Sequence, residues 1–541
     1  MLNTAPPTLS ADVQYHPIVV VGAGLAGLTL VCSLARWGVQ SILLEAAPGL
    51  AGPDSASRAI SYTQKTLEIF QQLGLIDQVM KNGVQWHVGR TFSGSEEIYN
   101  VDQRHQHSGN FSSQPAYVNL QQFDVERYLV GQLARLKHGQ VRWQSRVLSY
   151  QEGEEFAELT VQTPDGTILV QTDHVIDATG QNSPFHAWCQ TQQVVIGAQH
   201  GWAMADVRFK IAQPPERRSW IDAPFNEHRA AWQSPLPDGV WRFDWQLKDG
   251  EQVPLTPTSE YARTRLEQQF GNKLAYDILW SGAYCYRSQC LEQLRVGRVF
   301  FIGDAAKIIA PHGSRSANTG VADAFNLAWK LAAVLRQRAP NSLLDSYHDE
   351  RHEAALQNIR ISQRTARFLS PANRSENLLR QAAISLAKPY SFARQFMNTG
   401  RMAQASNYRH SPLCSASGGP SAPNVKFLWA DNSTGVLNDL LQWADGNLLV
   451  LVFGDLSAAA CQRLIQIASH TPARCVQVVG AHSSPQALEH VRDPLGHLQG
   501  ACHVFGHAWA LLRPDSYLAA TGEAVNADLL DAIELSLSIS H

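Results

Sequence analysis

The chain has 541 residues, of which 44% are hydrophobic and 17% charged, an ordinary globular composition with enough apolar material for a large core. This length predicts two or three parts, because single hydrophobic cores stop growing well below that size. The formal net charge of −3 gives no positive excess for nucleic acid or an anionic membrane, so we expect neither as a partner.

The eight cysteines are scattered along the chain, and they form neither a CxxC pair nor a cluster with histidine. We therefore expect reduced thiols, with no disulfide and no metal site. The polar N-terminal segment has neither the basic nor the apolar region of a signal peptide. No apolar run reaches the roughly 18 residues that a membrane helix needs. These features predict a cytoplasmic protein without an integral membrane segment.

The chain opens with a predicted strand, a tight turn, a helix and a second strand. A β-branched run at residues 18–21 predicts the first strand, and residues 41–44 predict the second. Between them, Gly22-Ala23-Gly24-Leu25-Ala26-Gly27 is a GxGxxG motif at the start of a helix. This order is the βαβ arrangement of a dinucleotide-binding domain.

The glycines of this motif, and an acid that follows them, each have a physical role. Gly22 makes the tight turn, Gly24 lets the backbone approach a pyrophosphate, and Gly27 lets helix and strand pack closely. The helix N-terminus offers free N–H groups to the anion. Glu45, at the end of the second strand, can accept the ribose hydroxyls of an adenosine. The pattern predicts a dinucleotide site that disfavours a 2′-phosphate, but it does not separate FAD from NAD.

Further elements follow along the chain. We expect helices at 66–73 and 123–136, strands across 141–175, a largely antiparallel sheet with one covered face at 202–247, a buried strand at 299–302 and a helix at 321–336. The Ser-, Pro- and Gly-rich segment 411–424 is typical of a linker or a belt. Beyond it, a separate α/β unit is predicted from strands at 448–453 and 476–479, helices at 458–468 and 528–535, and a hairpin from 509.

A second acid stands after the strand at 299–302. Gly303 and Asp304 end this strand, and we expect a loop over 307–320 to lead into the helix at 321. A carboxylate here can bind a ribityl hydroxyl, and the helix N-terminus can offset negative charge on a reduced isoalloxazine ring. The segment therefore predicts a second polyol-binding site.

At this segment the sequence resembles a known family. The run GRVFFIGDAAKIIAPHGSRSANTGVADAFNLAWKLA is similar to the Gly-Asp segment of the class A flavoprotein monooxygenases, which share the para-hydroxybenzoate hydroxylase fold. WRFDWQL and Tyr284-Cys285-Tyr286-Arg287 are similar to the 3-(3-hydroxyphenyl)propionate and phenol hydroxylase branch. The C-terminal LLRPD segment looks like the thioredoxin-like domain of that branch, here without a redox CxxC.

The resemblance implies an α/β fold in several parts. A GxGxxG Rossmann-like FAD-binding domain would comprise 1–195 and, with its Gly-Asp motif and a helical region, 291–410. An antiparallel-sheet substrate domain would be inserted at 196–290. A linker at 411–424 would lead to a thioredoxin-like α/β domain at 425–541, which we expect to be structural.

The resemblance also assigns expected cofactor-binding residues. The ADP half of FAD would be held by Gly22, Gly24, Gly27 and Glu45, with Arg58 near the pyrophosphate and flavin. Gln122, Gly303 and Asp304 would lie at the ribityl chain. Pro311 and the turn Asn318-Thr319-Gly320 would lie along the isoalloxazine ring.

Three departures from the family pattern bear on how the flavin is reduced. Thr179 stands where the middle motif of the family has an acid, and no arginine follows it. Lys307 replaces the usual histidine after Gly-Asp-Ala-Ala. The loop Gly313-Ser314-Arg315-Ser316 lacks two expected glycines, which should stiffen it, and it adds a cation.

The activity that the resemblance implies is FAD-dependent monooxygenation of an aromatic, phenolic substrate with NAD(P)H and O2 through a flavin C4a-hydroperoxide. NADH or NADPH would be a transient hydride donor, and a homodimer would fit the family. His312, Arg315, Tyr284 and Tyr286 are candidates for the group that helps to deprotonate the phenol, with core or loop packing as the alternative role of each. Asp323 is expected to cap or pair near the start of its helix.

Two other functions stay open at this point. The same fold serves FAD-dependent oxidases, dehydrogenases, reductases and halogenases, and the altered middle motif favours keeping them. A flavin-binding scaffold without turnover is the non-enzymatic alternative.

Overall fold

The computed structural model of the chain describes residues 9–52, 59–102, 112–248, 259–271, 275–397, 402–481, 483–504 and 506–539. Its strands form three large sheets and a two-stranded one. In chain order the strands are β1 (Leu9–Val21), β2 (Ser41–Leu44), β3 (Ser61–Thr63), β4 (Val88–Ser93), β5 (Glu96–Asp102), β6 (Tyr117–Asn119), β7 (Gly139–Arg142), β8 (Arg146–Glu152), β9 (Ala157–Thr163), β10 (Gly166–Asp177), β11 (Gln193–Phe209), β12 (Glu216–Ala223), β13 (Arg229–Pro235), β14 (Val240–Gln246), β15 (Tyr276–Leu291), β16 (Arg295–Val296), β17 (Val299–Phe301), β18 (Lys307–Ile308), β19 (Lys426–Trp429), β20 (Thr434–Val436), β21 (Leu448–Phe453), β22 (Ala473–Val479), β23 (His490–Arg492), β24 (Trp509–Leu512) and β25 (Leu518–Gly522). The α-helices are α1 (Leu25–Arg36), α2 (Gln64–Gln72), α3 (Ile76–Asn82), α4 (Gln122–Leu133), α5 (Phe185–Trp188), α6 (Ser259–Phe270), α7 (Arg315–Leu335), α8 (Ser346–Leu369), α9 (Arg374–Ala387), α10 (Ser391–Met397), α11 (Leu437–Trp443), α12 (Ala458–His470), α13 (His497–Ala501) and α14 (Ala527–Ser536).

The first sheet has the strand order β16-β17-β10-β1-β2-β7, and β8 and β9 join it through β10. β1 runs parallel to β2 and β10, and β10 runs parallel to β17. The carboxyl ends of these four strands therefore lie at one edge of the sheet, where open α/β sheets bind their ligands. The expected βαβ opening is confirmed: β1, α1 and β2 follow one another, and β2 is buried along its whole length.

The second sheet has the order β18-β15-β11-β14-β13-β12-β4-β5. Its central strands β15, β11, β14, β13 and β12 pair antiparallel, as expected. Trp241, Phe243 and Trp245 of β14 enter a core that α6 covers, which gives the sheet its covered face. The hairpin of β4 and β5 also belongs to this sheet, although it comes from the segment before residue 196; β4 pairs parallel with β12.

The helix after the Gly-Asp segment begins earlier than expected. We predicted a loop over 307–320 and a helix from 321, but α7 begins at Arg315 and includes Asn318, Thr319 and Gly320. A Cβ atom at Gly320 would stand 3.5 Å from the Cα of Gly303, which is an ordinary van der Waals contact, so α7 packs closely on the end of β17 at this position.

The C-terminal part forms a seven-stranded sheet of order β20-β19-β23-β22-β21-β24-β25, with α11 to α14 around it. The segment 411–424 is a packed belt, since Leu413 is fully buried and the Asn424 side chain donates to Gln71 at 2.6 Å. A buried ion pair between Glu350 of α8 and Arg513 joins this part to the rest of the chain. Across the described residues, none of the helices has the length and apolar character to cross a membrane.

Candidate functional site

Two adjoining cavities lie at the carboxyl edge of the first sheet. The first cavity, of about 600 Å³, is lined by residues that follow β1, β2, β10 and β17, among them Gly22, Glu45, Thr179 and Gly303. The second cavity, of about 320 Å³, lies between this edge and the face of the second sheet opposite α6. Both cavities are lined by Ala59, Asp304, Ser316 and Ala317, so they meet at these residues.

The glycines at the end of β1 are required by close backbone contacts. Gly22 has a φ of +107°, and a Cβ atom there would lie 2.5 Å from the carbonyl oxygen of Ala178. A Cβ atom at Gly27 would lie 2.1 Å from the carbonyl oxygen of Gly22. At Gly24, by contrast, a Cβ atom would meet nothing within 4 Å, and Gly24 lines the first cavity. The peptide at Gly24 is thus open to a ligand, whereas Gly22 and Gly27 allow turn and helix to pack.

Glu45 is held in place by the same turn. One carboxylate oxygen accepts a hydrogen bond from the Ala23 N–H at 2.7 Å, and the other accepts from the Ala47 N–H at 2.8 Å. Each oxygen of an ionised carboxylate can accept a further hydrogen bond. Glu45 also lines the first cavity, so both oxygens have capacity for a diol such as ribose.

The Gly-Asp segment is anchored from beneath by a buried charge cluster. Asp323 of α7 accepts a hydrogen bond from the Gly303 N–H at 3.0 Å and forms ion pairs with Lys307 and with Arg351 of α8. Lys307, which stands where the family has histidine, is thus part of the support. Of the two roles expected for Asp323, capping the helix or forming an ion pair, the structure shows the ion pair.

Asp304 stands at the junction of the two cavities. Its Oδ1 accepts a hydrogen bond from the Ser316 hydroxyl at 2.6 Å, and the residue lines both cavities. Ser316, Ala317 and Gly320 of the first turns of α7 line the first cavity, so this helix directs its N-terminal end toward the junction. A partial positive charge at that end favours an anionic ligand.

Other predicted cofactor residues are placed as follows. Gln122 lines the first cavity and donates to Glu126 at 2.7 Å. Pro311 lines the second cavity. The side chain of Asn318 ties β3 to α7, donating to the Ser61 carbonyl oxygen at 2.9 Å, and the Thr319 hydroxyl donates to the Ser316 carbonyl oxygen. Arg58 lies outside the described residues.

The altered middle motif has an acid two residues before the expected place. Asp177, the last residue of β10, is fully buried, and its carboxylate accepts hydrogen bonds from the Thr179 hydroxyl at 2.6 Å and the Ser183 hydroxyl at 2.5 Å. Burial raises the pKa of Asp177, and these hydrogen bonds oppose the rise. Thr179 lines the first cavity beside this acid. An acid closing a buried β-branched strand is the sequence signal that would have found it.

The candidate catalytic residues differ in whether they line the second cavity. Tyr284 and Arg315 line the second cavity, and Arg315 is buried, donating to Asn358 Oδ1 at 2.8 Å. His312 is also buried, with its ring edge-on to those of Trp202 and Trp232, and it does not contribute to the described lining of either cavity. The side chain of Tyr286 lies outside the described part.

The second cavity also contains charged residues that sequence reasoning missed. Arg242 is paired through two hydrogen bonds with Asp206, at 2.5 and 2.9 Å. Arg217 is buried and donates to the Met402 sulfur at 3.2 Å, without a salt bridge to a described carboxylate. Asp244 lines the cavity as well, and burial raises its pKa to about 6.

The chain is similar to known flavoprotein sequences. A family model described as FAD binding domain matches residues 15–362. Over 536 residues, 96% of this chain and 94% of the relative, the chain is 24% identical to a 3-(3-hydroxy-phenyl)propionate/3-hydroxycinnamic acid hydroxylase from Klebsiella pneumoniae. A relative of the same name from Mycolicibacterium smegmatis is 26% identical over 406 residues, covering 74% of this chain and 70% of the relative.

Two solved structures share the fold. The flavin-dependent monooxygenase PieE, solved with FAD and substrate, superposes with a TM-score of 0.81 at 20% identity and covers 97% of this chain and 99% of its own. Aklavinone-11 hydroxylase, solved with FAD and aklavinone, superposes with a TM-score of 0.76 at 21% identity. The match covers 98% of this chain and 100% of that chain. Since the family model covers more than half of the chain, the protein belongs to the FAD-binding domain family.

Proposed function

We propose that this protein is an FAD-dependent monooxygenase that hydroxylates an aromatic, phenolic substrate with O2 and with NADH or NADPH as electron donor. The observation that carries the proposal is the meeting of the two cavities at Asp304 and Ser316. One cavity has groups that suit a dinucleotide, and the other is lined by aromatic and apolar side chains together with charged ones. Relatives that align over nearly the whole chain are named as hydroxylases of phenolic acids.

The residues of the first cavity fit FAD. The open peptide at Gly24 and the N-terminus of α1 suit a pyrophosphate, and Glu45 suits a ribose diol. Asp304 would accept from the ribityl chain, and the first turn of α7 would lie toward the flavin ring. Bound FAD supplies the hydride-accepting and oxygen-activating chemistry. The Gly303 peptide, which Asp323 fixes from beneath, would lie beside the ribityl chain and help to hold the cofactor.

The second cavity suits a ring that carries polar groups. Met204, Trp232 and Ile309 offer apolar contact, and strands of the second sheet form one wall of the site. The charge of Arg242 is already balanced by the salt bridge to Asp206, whereas Arg217 has no salt bridge to a described carboxylate and the charge of Asp244 acts on it from a longer distance. A buried guanidinium in this state is complementary to an anionic substituent of a ligand. We therefore propose a phenol bearing a carboxylate as the first substrate class to test.

Several finer points belong to the proposal as well. The choice between NADH and NADPH, a homodimer and a cytoplasmic location stay predictions. So do the boundaries of the domains and the cofactor contacts of Arg58 and Gln122.

Anaerobic mixing of the purified flavoprotein with NADH or NADPH tests this function. We expect the flavin absorbance to bleach, and a suitable phenol, with 3-(3-hydroxyphenyl)propionate tried first, to accelerate the bleaching. Reoxidation in air should then give a hydroxylated product. Flavin that neither nicotinamide reduces, with any phenol of the panel, would overturn the monooxygenase proposal in favour of an oxidase or a dehydrogenase with another donor.

A further inference from the structure

We propose that Asp244 is the base that accepts the proton of the phenolic hydroxyl when the substrate is bound in the second cavity. This inference rests on the proposed function, because it assigns one step of that reaction to a residue. It is preferred over the three sequence candidates whose side chains the structure describes, Tyr284, His312 and Arg315.

Asp244 is placed by the alternation of β14. Six of the seven residues of this strand are buried, and Asp244 is the one with remaining accessible surface. Because Asp244 lines the second cavity, that surface faces the place where a ligand would lie. The neighbours on either side of it, Trp241, Phe243 and Trp245, point to the opposite face and into the core under α6.

The residues beside Asp244 in the sheet form an apolar floor. Asp244 is paired with Met204 of β11 on one side and with Trp232 of β13 on the other. Both partners line the second cavity. A substrate ring resting on the thioether and the indole would therefore have a carboxylate next to it. This is the position from which a base can reach a hydroxyl on the edge of the ring.

The charges around Asp244 leave its oxygens available. Arg242 lies two residues away on the same strand. It donates two hydrogen bonds to the carboxylate of Asp206 on β11. Arg217 of β12 is close enough for its charge to act on Asp244, but the structure shows no hydrogen bond between them. Tyr284 and Cys285 of β15 and Arg315 of α7 complete the ionisable groups of the described lining, apart from Asp304 at the junction.

The ionisation of Asp244 suits a base near neutral pH. Burial raises its pKa to about 6, an effect that Arg242 and Arg217 oppose and Asp206 reinforces. The carboxylate is then mostly ionised at pH 7 and yet basic enough to take up a proton. These three candidates are less suited: the guanidinium of Arg315 has donors and no acceptor, the hydroxyl of Tyr284 is itself a phenol, and His312 does not line the cavity in the described structure.

The proton transfer balances without a further reactant. The O–H bond of the phenol breaks, its electron pair stays on the phenolic oxygen and strengthens the ring as a nucleophile, and an O–H bond forms at Asp244. When the ring carbon bonds to one oxygen atom from O2, the O–O bond breaks and the other oxygen atom leaves as water, with NADH or NADPH as the reductant. The attacked ring carbon then loses its hydrogen as a proton, which offsets a proton taken up in forming that water. The phenolic oxygen takes back the proton from Asp244, which restores the carboxylate for the next turnover.

The first test uses the variant Asp244→Asn in the FAD-loaded protein. Asp277→Asn is the matched control, since it removes an exposed carboxylate of the same sheet that pairs with Lys210 on the surface. We expect Asp244→Asn to lower the rate of product formation by about 10²- to 10⁴-fold while phenol-stimulated flavin bleaching persists. The remaining rate should rise with pH and with more acidic phenols, because these ionise without help, and the control should behave like wild type.

The second test needs no turnover. 4-Nitrophenol is titrated into the oxidised holoprotein by calorimetry, at a pH where the probe is an anion in water and in buffers of different ionisation enthalpy. Two buried anions repel, so wild type should take up about one proton per probe bound, and Asp244→Asn should take up none. Equal proton uptake in both, or a variant that hydroxylates at the wild-type rate, would overturn the inference and leave the proposed function standing. A wild-type protein that neither binds nor oxidises any phenol would overturn both.

Discussion

The hydroxyl of Ser316 donates a 2.6 Å hydrogen bond to the carboxylate of Asp304, and both residues line both cavities. The bond joins the first turn of α7 to the end of β17 where the two cavities meet. The second oxygen of Asp304 takes no part in this bond and can accept from a ligand.

Asp304→Ala should therefore weaken FAD binding. A hydrogen bond to a charged group contributes about 1.5–3 kcal/mol, so we expect the dissociation constant of FAD to rise roughly 10- to 150-fold. Fluorescence titration of the apoprotein with FAD measures it. Asp77→Ala, on an exposed site of α3, is the control and should bind FAD like wild type. Unchanged affinity in Asp304→Ala would remove this residue from the site.

Substitutions of Gly24, just before α1, and of Gly27, in its first turn, should have different effects. Gly24→Ala adds a methyl group where nothing lies within 4 Å, so the apoprotein should unfold at the wild-type temperature and yet lose FAD. Gly27→Ala drives its Cβ atom against the carbonyl oxygen of Gly22 and should lower the melting temperature of the apoprotein as well. Thermal unfolding without FAD, compared with flavin content, separates the two. A Gly24→Ala protein that retains full FAD would contradict the assignment of that peptide to the pyrophosphate.

The sequence predicted the dinucleotide half well, because its glycine motif and its buried strands are recognisable within a few consecutive residues. β2 was expected at residues 41–44 and lies there, since a buried parallel strand is a continuous apolar run. The start of α7 was missed because its position depends on contacts between segments distant in sequence, such as the hydrogen bond that Asn318 of α7 donates to the Ser61 carbonyl oxygen of β3.

The base in the second cavity was missed for a related reason. Alternation in WRFDWQL indicates a strand with two different faces, but not which face meets a cavity. That depends on Met204 and Trp232, the cross-strand partners of Asp244, and pairing over such distances is set by the whole sheet.

The buried pair of Glu350 and Arg513 should be important for stability. Burial alone would raise the pKa of Glu350, but Arg513 and Lys330 outweigh it and hold that pKa well below its usual range. Glu350→Gln leaves two buried cations with less compensation, so we expect a loss of about 3–5 kcal/mol in the free energy of unfolding. Urea unfolding measures it, with the half-buried Glu353 of the same helix, changed to Gln, as control. Equal midpoints for the two variants would show that the pair does not stabilise the contact.

His174 of β10 should make the fold sensitive to mild acid. Burial, with the charge of Arg295 adding to it, lowers its pKa to about 4, so the folded protein keeps this ring neutral while the unfolded chain protonates it near pH 6.5. Because the unfolded state binds the proton first, this contribution to stability is complete above pH 6.5 and is lost as the pH falls toward 4. Between pH 7 and pH 5 the loss should be about 2 kcal/mol. Urea unfolding at both pH values should show a smaller difference for His174→Gln than for wild type; identical differences would contradict the prediction.

The central claim is that this protein inserts an oxygen atom from O2 into an aromatic ring. The most direct measurement is turnover with NADH or NADPH under ¹⁸O2, with 3-(3-hydroxyphenyl)propionate and a panel of phenols, followed by mass spectrometry of the aromatic product. We predict a product that carries one ¹⁸O atom, formed in proportion to the nicotinamide consumed. Consumption of nicotinamide and O2 that yields hydrogen peroxide and leaves every phenol of the panel unlabelled would contradict the account.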